Sequence, residues 1–195
     1  MTDIEINDDI LQDYTNAICR HSRIGADAVK TLLSNSERPA YPRQEIGAIQ
    51  YAEILLEFVT LLLSFTDRCL FWVAIADKRL GVRFRDDLMD ELVGRCISSA
   101  VDYCFFGLEE HPKEEYKKSC FRAHNARMEQ YAKYEKCFAE KGEGTKDTLV
   151  WEFAKNVCEM VGRDHDIALL TMCAKVIVNA IKDVDSNSFI AKLLQ

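Results

Sequence analysis

The segment from Gln44 to Arg79 contains no proline and a single glycine, Gly47, near its start; Pro42 precedes it and Gly81 follows it. Its middle, Ile54-Leu55-Leu56-Glu57-Phe58-Val59-Thr60-Leu61-Leu62-Leu63-Ser64-Phe65, is apolar on nearly every side. A helix that is hydrophobic almost all round has to be buried by other elements. The rest of the chain must then supply apolar faces to surround it. This predicts an all-α bundle of six to seven helices around one long central helix over about 44–79. A membrane span needs about 20 residues with few or no charges. Glu57, Asp67 and Arg68 interrupt this segment, and a charged pair near mid-bilayer is costly. The expected role is a core helix, with no membrane partner.

The polar residues of that helix are ordered. Glu53, Glu57, Thr60, Ser64 and Asp67 step by four, three, four and three, so they share one narrow stripe. Such a stripe is either a strip of solvent contact or a polar seam against other helices, where buried charges must be paired.

The other helices follow from caps and breakers. Asn7 or Asp8 caps a first helix over about 8–34, with His21 central to its apolar stripe. Residues 35–43 hold serine, asparagine and two prolines and read as a loop. A third helix spans about 86–106. A fourth starts at Pro112, with Glu114 and Glu115 in its first turn, and runs to about 141. Its inner stripe places His124 and Arg127 among Tyr116, Cys120, Tyr131, Tyr134 and Phe138. A fifth helix covers 146–161 and stops at Gly162. Asp164 caps a sixth through about Val184, and a short seventh covers 188–194. No strand pattern, repeat or linker interrupts these elements, so residues 1–195 read as one helical domain.

Composition sets the class. The chain has 195 residues, 48% hydrophobic and 29% charged, the balance of a globular protein. Its net charge of -7 argues against nucleic acid or an anionic membrane as a general partner. Met1-Thr2-Asp3-Ile4-Glu5 is acidic and lacks the apolar region of a signal peptide. The 8 cysteines sit inside helical patterns without a Cys-x-x-Cys pair, which points to reduced thiols in a cytoplasmic protein.

Short loops imply antiparallel neighbours. Counting outward from the loop centres puts His21 level with Glu57, Cys96 level with Arg68, and His124 level with Cys96. Two polar layers follow. One holds His21, Glu57 and Glu53. The other holds Asp67, Arg68 and His124, joined by His165 and Asp166. Arg127 is expected to pair with Glu57 or Asp67, and Arg95 is a second candidate for Asp67. Candidate ligand-binding residues are thus Glu53, Glu57, His21, Arg127 and Tyr131. Candidate metal ligands are His124, His165, Asp166 and Asp67.

Two short motifs resemble catalytic ones. Asp86-Asp87-Leu88-Met89-Asp90 is similar to the DDxxD pattern of prenyl synthases, although no second aspartate-rich motif accompanies it and the helix dipole accounts for acidic residues in a first turn. His165-Asp166 resembles the HD dipeptide of metal-dependent phosphohydrolases. That resemblance implies a metal held by His124 as the upstream histidine, the His165-Asp166 pair and a later aspartate, Asp183 or Asp185. No Glu-x-x-His, phosphate loop or Gly-x-Ser-x-Gly occurs. The leading expectation is a non-enzymatic binding or regulatory module, homodimeric because the central helix has more apolar surface than one chain can cover. The rivals are an HD-like hydrolase and a small-molecule sensor with a polar pocket between the central and fourth helices near Glu57, Arg127 and Tyr131. No cofactor is fixed by any motif.

Overall fold

The computed structural model describes residues 7–38, 40–76, 82–106, 113–139 and 146–195. Within them lie seven helices: α1 (Asp8–Ser34), α2 (Ala48–Ala76), α3 (Val82–Cys104), α4 (Lys113–Tyr131), α5 (Leu149–Met160), α6 (Ile167–Val184) and α7 (Ser186–Leu193). The fold is an all-α bundle. α2 packs most against α1 and α3, then against α4 and α5, with lighter contact to α6 and α7. Its buried run, Ile54-Leu55 with Glu57 through Ser64, joins a core that draws side chains from every helix. The residues 77–79, at the expected end of the central helix, lie outside the described residues, as do 140–141.

Local signals account for several boundaries. The Asn7 side chain accepts from the Asp9 and Ile10 amides at the start of α1. Gly162 takes φ +66° immediately after α5, a left-handed conformation that costs glycine little. Asp185, at φ 46°, ends α6 and caps α7 by accepting from the Ser188 amide.

Several boundaries differ from expectation: α2 begins at Ala48 instead of about 44, α5 at Leu149 instead of 146, and α7 at Ser186 instead of 188. α3 begins at Val82, four residues before Asp86. α6 is capped by Asp166, whose carboxylate accepts from the Leu169 amide at 3.1 Å, and Asp164 is exposed in the preceding turn. α4 ends at Tyr131 instead of continuing to about 141. The Tyr131 carbonyl accepts from Arg68 at 2.7 Å. Beyond it the irregular chain offers the Lys136 and Cys137 carbonyls to the Leu149 and Val150 amides. Those amides open α5, where no intrahelical acceptor exists. Tertiary hydrogen bonding thus overrides the helical pattern of 132–138.

α1 and α2 approach closely because Gly25 faces Phe58; a methyl added there would lie under 3.0 Å from three atoms of the Phe58 ring. The loop before α2 is fastened to the α5–α6 turn. Arg38 donates both terminal nitrogens to Asp166 at 2.6 Å, and Arg163 donates to the Gln44 side chain and the Pro42 carbonyl. α2 is also long and apolar enough to cross a membrane, and half of its most apolar window is buried within the bundle. Its far end is not covered by the described residues: Phe71 is 46% exposed, Trp72 68% and Ile75 58%.

Candidate functional site: the cleft between α2 and α4

α2 and α4 run side by side, and the polar stripe of α2 faces α4 for part of its length. A cleft of about 360 Å³ opens there, lined by Glu53, Leu56, Glu57 and Thr60 of α2, by Tyr116, Ser119, Cys120, Ala123, His124 and Arg127 of α4, and by Met160 at the end of α5. The side chains of α4 point back toward its N-terminus, as helical side chains do, so Arg127 and Tyr131 reach Glu57, on a lower turn of α2.

Glu57 is 4% exposed and is the hub of the floor. Arg127 donates its Nε to Oε2 at 3.0 Å. Tyr131 donates its hydroxyl to Oε1 in a short hydrogen bond, and Asn156 of α5 donates to the same oxygen at 3.1 Å. Burial pushes the Glu57 carboxyl up, against the Arg127 charge and the hydrogen bonds from Tyr131, Asn156 and Arg127. The Tyr131 phenol is fully buried and pushed well up, by burial first and then by the Glu57 charge. The network extends outward: Arg127 Nη1 donates to Gln130, and Gln130 donates to Glu152 at 2.6 Å. This is the pairing a buried carboxylate requires.

His124 is 4% exposed. Its Nδ1 lies 3.0 Å from the Thr60 hydroxyl. Burial lowers its pKa to about 4, so the imidazole is neutral at physiological pH. The Arg127 Nη2 and the His124 Nε2 have no hydrogen-bond partner among the described residues. Neither is a sealed atom, since the fully buried orphans are Ser22 Oγ and Arg163 Nη1. Both therefore retain contact with the solvent of the cleft. Cys120 lies one turn before His124 on the same wall. Burial pushes its thiol up to about 11, so it is protonated near neutrality and is no poised nucleophile.

Glu53, Glu57 and Arg127 come together at this cleft, with Tyr131 beneath it. His21 does not join them. It lies against α6, with Nδ1 3.8 Å from Asp183 and Nε2 3.2 Å from Arg20, and burial and the Arg20 charge lower its pKa. The second expected layer does not form either. Asp67 takes two hydrogen bonds at 2.8 Å from Arg85. Arg95 pairs with Asp8 and Glu91. Asp166 is fully buried and held by Arg38 and Arg163. Burial would raise its carboxyl, but the Arg38 and Leu169 hydrogen bonds and the two guanidinium charges hold it below the usual range. His165 is exposed beside it. His124, His165, Asp166 and Asp67 thus sit in four separate environments, and no group of three His, Cys, Asp or Glu among the described residues could hold a metal ion. Asp86, Asp87 and Asp90 lie in α3, exposed to solvent.

Asn156 was not singled out by the sequence reading. Its signal is the same as that of Glu57: a polar residue on the inward face of a helix, three residues after Phe153. No protein-family model matches the chain, and neither a curated protein nor a solved structure is significantly similar to it.

Proposed function

We propose that this protein is a non-enzymatic binding module that holds a small organic ligand in the cleft between α2 and α4. One observation carries the reading: a cleft with largely apolar walls keeps polar groups on its floor that the protein leaves unpaired. Ligand pockets combine apolar lining with a few placed polar groups in about 300–1,000 Å³. The Arg127 Nη2 and the His124 Nε2 are such groups, on a scaffold held rigid by Glu57, Tyr131, Asn156 and Gln130. The neutral His124 and the protonated Cys120 favour recognition over catalysis, because neither is poised as an acid, base or nucleophile near pH 7.

The test is a fragment screen of mixed chemistry, read by protein-observed NMR on wild type and on Ala123→Trp. Ala123 is exposed on the cleft wall, so the indole fills the site without entering the core. Fragments that shift Thr60, His124 and Arg127 resonances in wild type and not in Ala123→Trp would support the reading. A silent screen, or shifts that persist in the variant, would overturn it.

A further inference from the structure

The cleft has a second charged feature that the floor does not use. Glu53 lies one turn before Glu57 on α2, is exposed at the cleft wall, and has no ion pair or hydrogen bond among the described residues. Its charge acts on the far wall: together with burial it raises both the Tyr116 phenol and the Cys120 thiol. The acidic and basic side chains lining the cleft are Glu53, Glu57 and Arg127, and the His124 imidazole is neutral. Arg127 is committed to Glu57, which leaves Glu53 as the acidic side chain of the cleft without a protein partner among the described residues, the group a cationic ligand would meet.

The spacing narrows the ligand further. Residues four apart on a helix have Cβ atoms about 5–6 Å apart. Arg127 is bonded to Glu57, one turn from Glu53, and all three line the same cleft. A ligand that meets both needs its cation and its hydrogen-bond acceptor within a few bonds of each other. Leu56, Ala123, Met160 and the Tyr116 ring offer the rest of the ligand an apolar bed, with the ring also able to face a cation.

Resting on the binding reading above, we infer that the ligand is a small amine bearing an adjacent oxygen acceptor and an apolar body, the chemistry of an amino acid or an amino alcohol. The ammonium meets Glu53, the oxygen accepts from Arg127 Nη2 and the His124 ring, and the body lies against Leu56 and Met160.

Four probes of one size separate the contributions: L-phenylalanine, phenethylamine, 3-phenylpropanoate and 2-phenylethanol, titrated by NMR into wild type, Glu53→Gln and Ala123→Trp. Charge-assisted hydrogen bonds carry the largest share of polar recognition, so L-phenylalanine is expected to bind about tenfold or more tightly than either the acid or the alcohol. Phenethylamine, which keeps the ammonium, should fall between. Glu53→Gln is expected to remove about tenfold from the two amines and to leave the acid unchanged. Because Glu53 is exposed, this variant keeps its fold, which the amide spectrum verifies. Equal or tighter binding of the acid or the alcohol, or amines indifferent to Glu53→Gln, would overturn the ligand class while leaving the cleft reading intact, provided Ala123→Trp abolishes that binding. Failure of all four probes would overturn the ligand class; the broader fragment screen then decides separately whether the cleft binds anything.

Discussion

Glu57 accepts from Arg127, Tyr131 and Asn156, on two different helices. Removing a partner from a buried ion pair leaves an uncompensated charge, which typically costs about 3–5 kcal/mol. Arg127→Met is expected to lose about that much, and Glu57→Gln in the same background to recover a large part of it. Urea unfolding of the four combinations measures the coupling; additive effects would show that the pair does not act as a unit. His124 makes a separate prediction in pH. Its folded pKa of about 4 lies below the ordinary 6.5. The depressed value means that the unfolded chain takes up the proton first as pH falls. The stability that neutral His124 contributes is thus complete above 6.5 and is lost as pH falls toward 4. The loss is about 3 kcal/mol across that window. The difference between wild type and His124→Gln, followed by urea midpoints from pH 7 to 4, isolates this contribution from other titrating groups such as Glu57. A difference independent of pH would contradict it.

At the scale of the helices, the α1–α2 contact depends on Gly25, whose missing side chain makes room for the Phe58 ring. Gly25→Ala would favour the isolated helix by about 1 kcal/mol, yet overpacking typically costs about 1–3 kcal/mol. Net destabilisation is expected, with partial relief when Phe58→Leu opens space. Thermal midpoints of the two single variants and the double variant decide it; a stabilised Gly25→Ala would show that the ring moves aside freely. The α5–α6 turn illustrates the other kind of helix-scale control. In sequence, Asp166 resembles half of a metal-binding dipeptide. In the fold it caps α6 through the Leu169 amide and pairs with Arg38 and Arg163. A fully buried carboxylate with two guanidinium partners has its charge already answered, and no coordination site is left over.

At the scale of the whole molecule, the apolar excess of α2 ends in Phe71, Trp72 and Ile75, exposed at its C-terminal end. If the homodimer expected from sequence forms on this face, the solution mass is twice the chain's 22.4 kDa, and Trp72→Glu reduces it to one chain. Light scattering after size exclusion reads both, and a wild-type mass of one chain would remove the expectation. The helical class, the buried central helix and the inward position of Arg127 were legible in the chain, whereas the choice of Glu57 over Asp67 as its partner was not. Periodicity, caps and the stripe Glu53, Glu57, Thr60 are local properties, carried by residues within a turn or two of each other. The levels of side chains across the bundle were not legible, for a geometric reason. Displacing a turn by n residues moves the antiparallel partner of every position by 2n. α3 starts four residues earlier than its acidic first turn suggested, and His124 meets Thr60 instead of Arg68, eight residues or about 12 Å along α2. The expected polar layers do not form. His21 went to Asp183 and Asp67 to Arg85. Which polar residues lie on an inward face is decided one helix at a time; which of them meet is decided only when the helices pack.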